Sequence, residues 1–178
     1  MNVHADPAIK KVMSVSLGSS TRDAVRQLDL GSYKFILERR GTDGDISKAA
    51  ALFRAFDGKV DAFGLGGTDL YVFAGEKRYT LAESERLLQQ VRHTPVVDGS
   101  GLKNSWEKQV IRELAVTHTV DFHNKKVLLV CAVDRFGMAQ ALVQQGCDLI
   151  CGDILYGLNL NWPLRSLEQV SRAAAVMV

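Results

Sequence analysis

Residues 127–153 read V-L-L-V-C-A-V-D-R-F-G-M-A-Q-A-L-V-Q-Q-G-C-D-L-I-C-G-D. An apolar run, Val127–Val133, meets a polar turn; apolar residues at helical spacing follow to Gln145. Gly146 then leads into a second short apolar run, Leu149–Gly152. Two strands separated by a helix of this length form a parallel crossover, because parallel strands need a connection of about a dozen residues or more. The layout is also that of a dinucleotide-binding β-α-β. With Gly137 as the third glycine of G-x-G-x-x-G, Ala132 and Asp134 take the first two places, and Asp153 ends the second strand where a ribose-binding carboxylate belongs. At the second place Asp134 adds a side chain and a repelling charge, which Arg135 could partly offset. The candidate cofactor residues are thus Asp134, Arg135, Gly137 and Asp153, with NAD or NADP as cofactor. A purely structural crossover is the competing reading.

The same alternation extends outward. Val12–Leu17, Lys34–Glu38, Val60–Leu65 and Thr94–Val97 read as strands. Ile46–Phe56, Ala82–Arg92, Leu102–Thr117, Gly137–Gln145 and Ser166–Val176 read as helices, with Asp45 the N-cap of the first and Asp57-Gly58 its end. Leu70–Phe73 and Arg78–Leu81 flank a turn at Ala74–Lys77 and form a β-hairpin insertion. The expected fold is therefore α/β and Rossmann-like, a mostly parallel sheet with helices on both faces. Residues 1–10 read as a frayed leader, 11–119 as a substrate-type α/β domain, and 124–178 as its β-α-β-α continuation or a partial Rossmann-like domain. The seam falls at Thr119–Lys126, where T-V-D-F-H-N-K-K breaks the periodicity.

Composition narrows the partners. The 178 residues are 47% hydrophobic and 24% charged, with a formal net charge of +2, enough apolar material for a full core. There is no basic stripe for nucleic acid and no apolar run long enough for a membrane. Three cysteines, Cys131, Cys147 and Cys151, lie in or beside apolar segments without zinc-ligand spacing and read as buried free thiols in a reducing cytoplasm. His118, Asp121 and His123 lack a fourth ligand, so no metal is expected. The apolar end, Ala173 to Val178, points to a buried contact in a homo-oligomer.

Four strand exits carry small polar residues: Ser14–Ser20, Gly41–Asp45, Gly64–Asp69 and Asp98–Asn104. In open α/β sheets ligands lie beyond the carboxyl ends of the strands, so the four should converge. Glycines admit a ligand to the backbone, and hydroxyl, carboxylate and amide groups grip polyols and carboxylates. Ser14, Ser16, Ser19, Thr68, Asp69, Ser100 and Asn104 are the candidate substrate contacts. Lys103 could bind a carboxylate or act as a general base, with Asp43, Asp69 or Asp98 orienting it. The alternative is that each exit is a capped turn.

The strings K-V-M-S-V-S-L-G-S-S, R-G-T-D-G-D, V-D-A-F-G-L-G-G-T-D-L-Y and T-P-V-V-D-G-S-G-L-K-N make the chain resemble bacterial proteins labelled quinate 5-dehydrogenases. V-D-R-F-G-M-A and C-G-D-I-L-Y-G-L extend the resemblance to about residues 11–168. Quinate and shikimate dehydrogenases have an N-terminal substrate domain and a C-terminal NAD(P) domain, and move a proton with a Lys–Asp pair. The resemblance implies Lys103 as that lysine, and Ser14, Ser16 and Asn104 as substrate contacts. It places no aspartate cleanly: T-D-G at Thr42–Gly44 precedes the lysine, whereas in those enzymes T-D follows it. Asp43 and Asp98 stand as candidate catalytic partners. The function expected is an NAD(P)-dependent oxidoreductase on a small hydroxylated carboxylic acid; the alternative is a non-catalytic module binding a small anion or polyol.

Overall fold

The computed structural model describes residues 8–74, 77–89 and 91–177. The first seven residues of the expected leader (His4 among them), Gly75 and Glu76 of the hairpin turn, Gln90 and Val178 lie outside the described residues. In chain order the elements are β1 (Ala8–Ser16), β2 (Ala24–Leu30), β3 (Tyr33–Gly41), α1 (Ile46–Phe56), β4 (Ala62–Gly66), β5 (Tyr71–Ala74) and β6 (Lys77–Thr80). They continue as α2 (Ala82–Leu88), β7 (Val96–Val97), α3 (Ser100–Val116), β8 (Lys126–Leu129), α4 (Phe136–Gln144), β9 (Asp148–Cys151), α5 (Asp153–Gly157) and α6 (Leu167–Met177).

The chain divides into two units. The first comprises residues up to Leu70 together with Ala82–Asp98; the second comprises Tyr71–Leu81 and Gly99 onward. The stretch Thr119–Lys126 lies inside the second unit, and the β5–β6 pair belongs there too.

The first unit is built on a five-stranded sheet ordered β2-β3-β1-β4-β7. β1 is parallel to β3 and β4, and β4 to β7; β2 alone runs antiparallel, along β3. The sheet is thus mixed but mostly parallel. Strand β1 begins at residue 8, so residues 8–10 are sheet rather than leader. Met13, Val15, Phe63 and Leu65 are buried on one face. Phe53 of α1 sets its ring edge-on to Phe63, 5.0 Å between centroids. The Asp45 side chain accepts from the Lys48 amide and caps α1, which explains the exact start of that helix.

The strand β2 departs from expectation. A-V-R-Q-L-D-L has no regular alternation, and Val25, Leu28 and Leu30 remain exposed on this edge strand, so no apolar run announces it. Helix α2 and strand β7 are shorter than expected for a shared reason. The Asp57 carboxylate accepts from the amides of Arg92, His93 and Thr94, taking them out of helix and sheet bonding.

In the second unit β8 and β9 are parallel and joined through α4, the crossover read from residues 127–153. β5 and β6 form an antiparallel pair. Val72 and Ala74 of β5, Ile111 of α3, Phe136, Ala139 and Leu142 of α4, Leu149 and Cys151 of β9, and Val170 and Ala174 of α6 make one core. Helices α3 and α4 pack closely because Gly137 presents no side chain. A Cβ there would stand 2.7 Å from the Asn104 carbonyl oxygen. Strand β8 stops at Leu129 instead of Val133, because the Ala132 and Val133 amides bond a side chain rather than a strand. Among the described residues no helix is long and apolar enough to cross a membrane.

Candidate functional site

In the first unit the carboxyl ends of β3, β1 and β4 stand level. Ser16 is in register with Gly41 on one side and Gly66 on the other, and Ser14 with Arg39 and Gly64. Ser14 and Ser16 therefore share the face opposite Met13 and Val15, and the G-L-G of β4 leaves no side chain beside either hydroxyl. Ser16 is 5% exposed, and its Oγ accepts from the Gly18 amide at 3.1 Å.

Past the strand ends the turns bond one another. Leu17 N–H reaches the Gly66 carbonyl, Thr42 N–H the Ser16 carbonyl and Gly44 N–H the Leu17 carbonyl, each at 2.8 Å. Asp43 sits in the left-handed region (φ 55°), where its carboxylate accepts from the Ser20 amide at 2.7 Å. That bond holds its carboxyl below the usual carboxylate range. The hydroxyls of Thr68 and Ser84 lie 3.1 Å apart, and Ser84 donates to the Asp69 carbonyl. The Asp98 carboxylate accepts from the Leu70 amide at 2.6 Å. The first-unit exits at Ser14–Ser20, Gly41–Asp45 and Gly64–Asp69 thus gather at one sheet edge, as expected. Many of their polar groups are engaged in holding the turns, as capped turns require.

The fourth exit divides between the units. Asp98 ends the first, while Gly99 opens the second in the left-handed region (φ 84°) that favours glycine, immediately before α3. Ser100 is buried at the start of α3. Asn104 is exposed, and its backbone supports Gly137.

Lys103, in the first turn of α3, places Nζ 2.7 Å from Oδ1 of Asp134, with the two side chains 25% and 26% exposed. Beside this pair, Glu107, one turn further along α3, bonds Arg135. Two residues of one helix face thus clasp two consecutive residues before α4. The other carboxylate oxygen of Glu107 is buried with no hydrogen-bond partner among the described residues. Sequence reading set Lys103 and Asp134 in different roles, one for substrate and one for cofactor. Spacing alone does not reveal that chain 31 positions apart folds back to join them.

The dinucleotide pattern does not fit this turn. Asp153 is 3% exposed, and its carboxylate accepts from the amides of Val133 at 2.7 Å and Ala132 at 3.1 Å. It closes the turn before α4 and presents no oxygen to a ribose. Arg135 N–H goes to the Ala132 carbonyl. Asp134 and Arg135 carry the ion pairs just described, and Gly137 is filled by the α3 backbone. All four expected cofactor residues have packing or pairing roles here.

His123 lies against Gly146, and among the described residues no three His, Cys, Asp or Glu side chains are grouped to hold a metal. The three cysteines are free thiols, but only Cys151 is buried as expected: Cys147 is half-buried and Cys131, past the end of β8, is exposed.

Residues 11–98 match a family model described as a domain of unknown function (DUF8753), and residues 101–178 match a second, also a domain of unknown function (DUF8754). The junction between the matches falls where the chain divides into its units. No curated protein sequence matches the chain significantly. Among solved structures, the chain is similar to the bifunctional enzyme FolD, methylenetetrahydrofolate dehydrogenase/cyclohydrolase, from Campylobacter jejuni, at a TM-score of 0.35 and 11% identity. The match covers 82% of this chain and 56% of that one, so the chain spans little more than half the length of that structure.

Proposed function

We propose that the protein recognises a small hydroxylated carboxylic acid of the quinate or shikimate type and handles the proton of a substrate hydroxyl, as part of an NAD(P)-linked oxidoreductase. The observation that carries the proposal is the Lys103–Asp134 pair, 2.7 Å apart with each side chain about one quarter exposed. A lysine so paired can donate to a substrate oxygen and, as the amine, accept its proton. The aspartate fixes the side chain and balances the positive charge that forms. Asp134 follows the lysine in sequence, the order of the Lys–Asp pair in the enzymes the chain resembles. The turn before α4 does not fit the nicotinamide cofactor, so the proposal assigns no residue to it and is confined to recognition and proton transfer.

The test is quinate- or shikimate-dependent reduction of NAD or NADP by wild type, Lys103→Ala and Asp134→Asn. General acid–base catalysis is worth about 10²–10⁴-fold, and loss on that scale in Lys103→Ala is expected. No turnover by wild type across a wide panel of hydroxy acids rejects the proposal.

A specific observation favours a second reading, a non-catalytic module binding a small anion or polyol: the spent cofactor positions at Asp153 and Gly137. It predicts ligand-dependent thermal stabilisation without turnover, about 2.7 kcal/mol at 100 times the dissociation constant. A homo-oligomer is proposed alongside, with exposed Trp162 and Val176 as its apolar material. A monomeric mass by light scattering removes that part.

A further inference from the structure

Arg39 of β3 lies in register with Ser14 of β1, so its side chain leaves the sheet on the face that carries Ser14 and Ser16. Its Nη1 is committed, donating to the Ser19 carbonyl and to the Asp23 carboxylate, each at 3.0 Å. Its Nη2 reaches the turn after β1. A Cβ built on Gly18 would stand 3.3 Å from Arg39 Nη2, 2.6 Å from Arg22 Nη2 and 3.2 Å from Ser16 Oγ. Two guanidinium groups and a buried hydroxyl therefore converge on one spot, the two nitrogens within about 6 Å of each other, a spacing at which like charges repel.

The Asp23 carboxylate offsets part of the charge of Arg39 through Nη1, but no carboxylate among the described residues pairs with Arg22. Neither Nη2 has an acceptor among them. The two nearby carboxylates are turned to other work. Asp23 bonds Arg39 Nη1 and the Gly41 amide, and Asp43 the Ser20 amide. Gly18 supplies the room, since any side chain there would meet Arg22. Converging N–H donors with no acceptor between them are arranged for an oxyanion, and guanidinium forks match one geometrically.

We propose that Arg22, Arg39 and Ser16 form a binding site for a phosphoryl group, either free phosphate or a phosphate monoester. Two guanidinium groups and a hydroxyl offer more donors than the two oxygens of a carboxylate need, which suits the three or four oxygens of a phosphoryl group better. The site shares no residue with the Lys103–Asp134 pair, and its phosphate test does not depend on the activity proposed for that pair.

The experiment is a titration of the full chain with inorganic phosphate, phenyl phosphate and acetate at constant ionic strength, followed by calorimetry and by thermal unfolding. Wild type should bind both phosphates saturably and acetate at least about tenfold more weakly, as expected when two charge-assisted pairs recognise a dianion. The tighter of the two phosphates identifies the source. Arg22→Gln, on an exposed side chain with no partner to lose, should unfold at the wild-type temperature without ligand yet bind phosphate at least about tenfold more weakly. Lys103→Ala should bind phosphate as wild type does. Phosphate binding unchanged in Arg22→Gln, acetate binding equal to phosphate, or no saturable phosphate binding by wild type each overturns the proposal.

Discussion

Nζ of Lys103 stands 2.7 Å from Oδ1 of Asp134, tying the first turn of α3 to the turn that precedes α4. Each side chain is about one quarter exposed, so water screens the pair in part. A double-mutant cycle with Lys103→Met and Asp134→Asn, read by urea unfolding, should give a coupling of about 1 kcal/mol or less. A coupling of several kcal/mol would make the pair a structural clamp first, and would weaken its assignment to proton transfer.

Asp153 tests the fate of the dinucleotide pattern. Replacing it by Ala leaves the Ala132 and Val133 amides buried without their acceptor. Stability should fall by about 3 kcal/mol or more, given that bonds to a charged group are worth about 1.5–3 kcal/mol each. Chemical denaturation reads this directly. A variant as stable as wild type, but altered in affinity for NAD or NADP, would restore the ribose role.

Gly137 is a packing residue. Gly137→Ala puts a methyl carbon 2.7 Å from the Asn104 carbonyl oxygen and 3.1 Å from its Cα, both backbone atoms that cannot swing aside. Overpacking of this kind costs about 1–3 kcal/mol, and a matching drop in unfolding midpoint is expected. An unchanged midpoint would mean that α3 and α4 are less tightly apposed.

Acid should reveal Asp57. Its three amide partners, Arg92 first among them, lower its carboxyl to about 2. The unfolded carboxyl titrates near about 3.9, so the stabilisation is fully present above that pH and is lost as pH falls through about 2. The melting temperature of Asp57→Asn should therefore lie below wild type at pH 6, with the gap closing between pH 4 and 2. A gap independent of pH would show that charge plays no part.

Cys151 should be the most inert thiol. Burial first, and the Asp153 charge second, push it up to about 12. The native protein at pH 8 should leave Cys151 unalkylated by iodoacetamide, and urea should expose it. Mass spectrometry of peptides separates it from Cys131 and Cys147, and rapid native labelling at Cys151 would contradict its burial.

Local chemistry in the sequence determined a good deal. Asp45 sets where α1 begins because a cap needs only its own helix, and period-3.6 spacing marks α3, α4 and α6 for the same reason. The parallel β8–α4–β9 crossover follows from chain length between two apolar runs, and the gathering of glycine-rich exits follows from parallel strand direction. Tertiary structure decided what each polar residue does. Asp153 looks like a ribose-binding carboxylate in sequence and Asp57 like the end of a helix, yet each holds backbone amides 20 or more positions away, which no local pattern encodes. The edge strand β2 escaped notice because its apolar side chains remain exposed and produce no buried run. The partner of Lys103 was decided in the same way: ion pairs form between groups that packing brings together, and the close approach of α3 to Gly137 delivers Asp134 to that lysine.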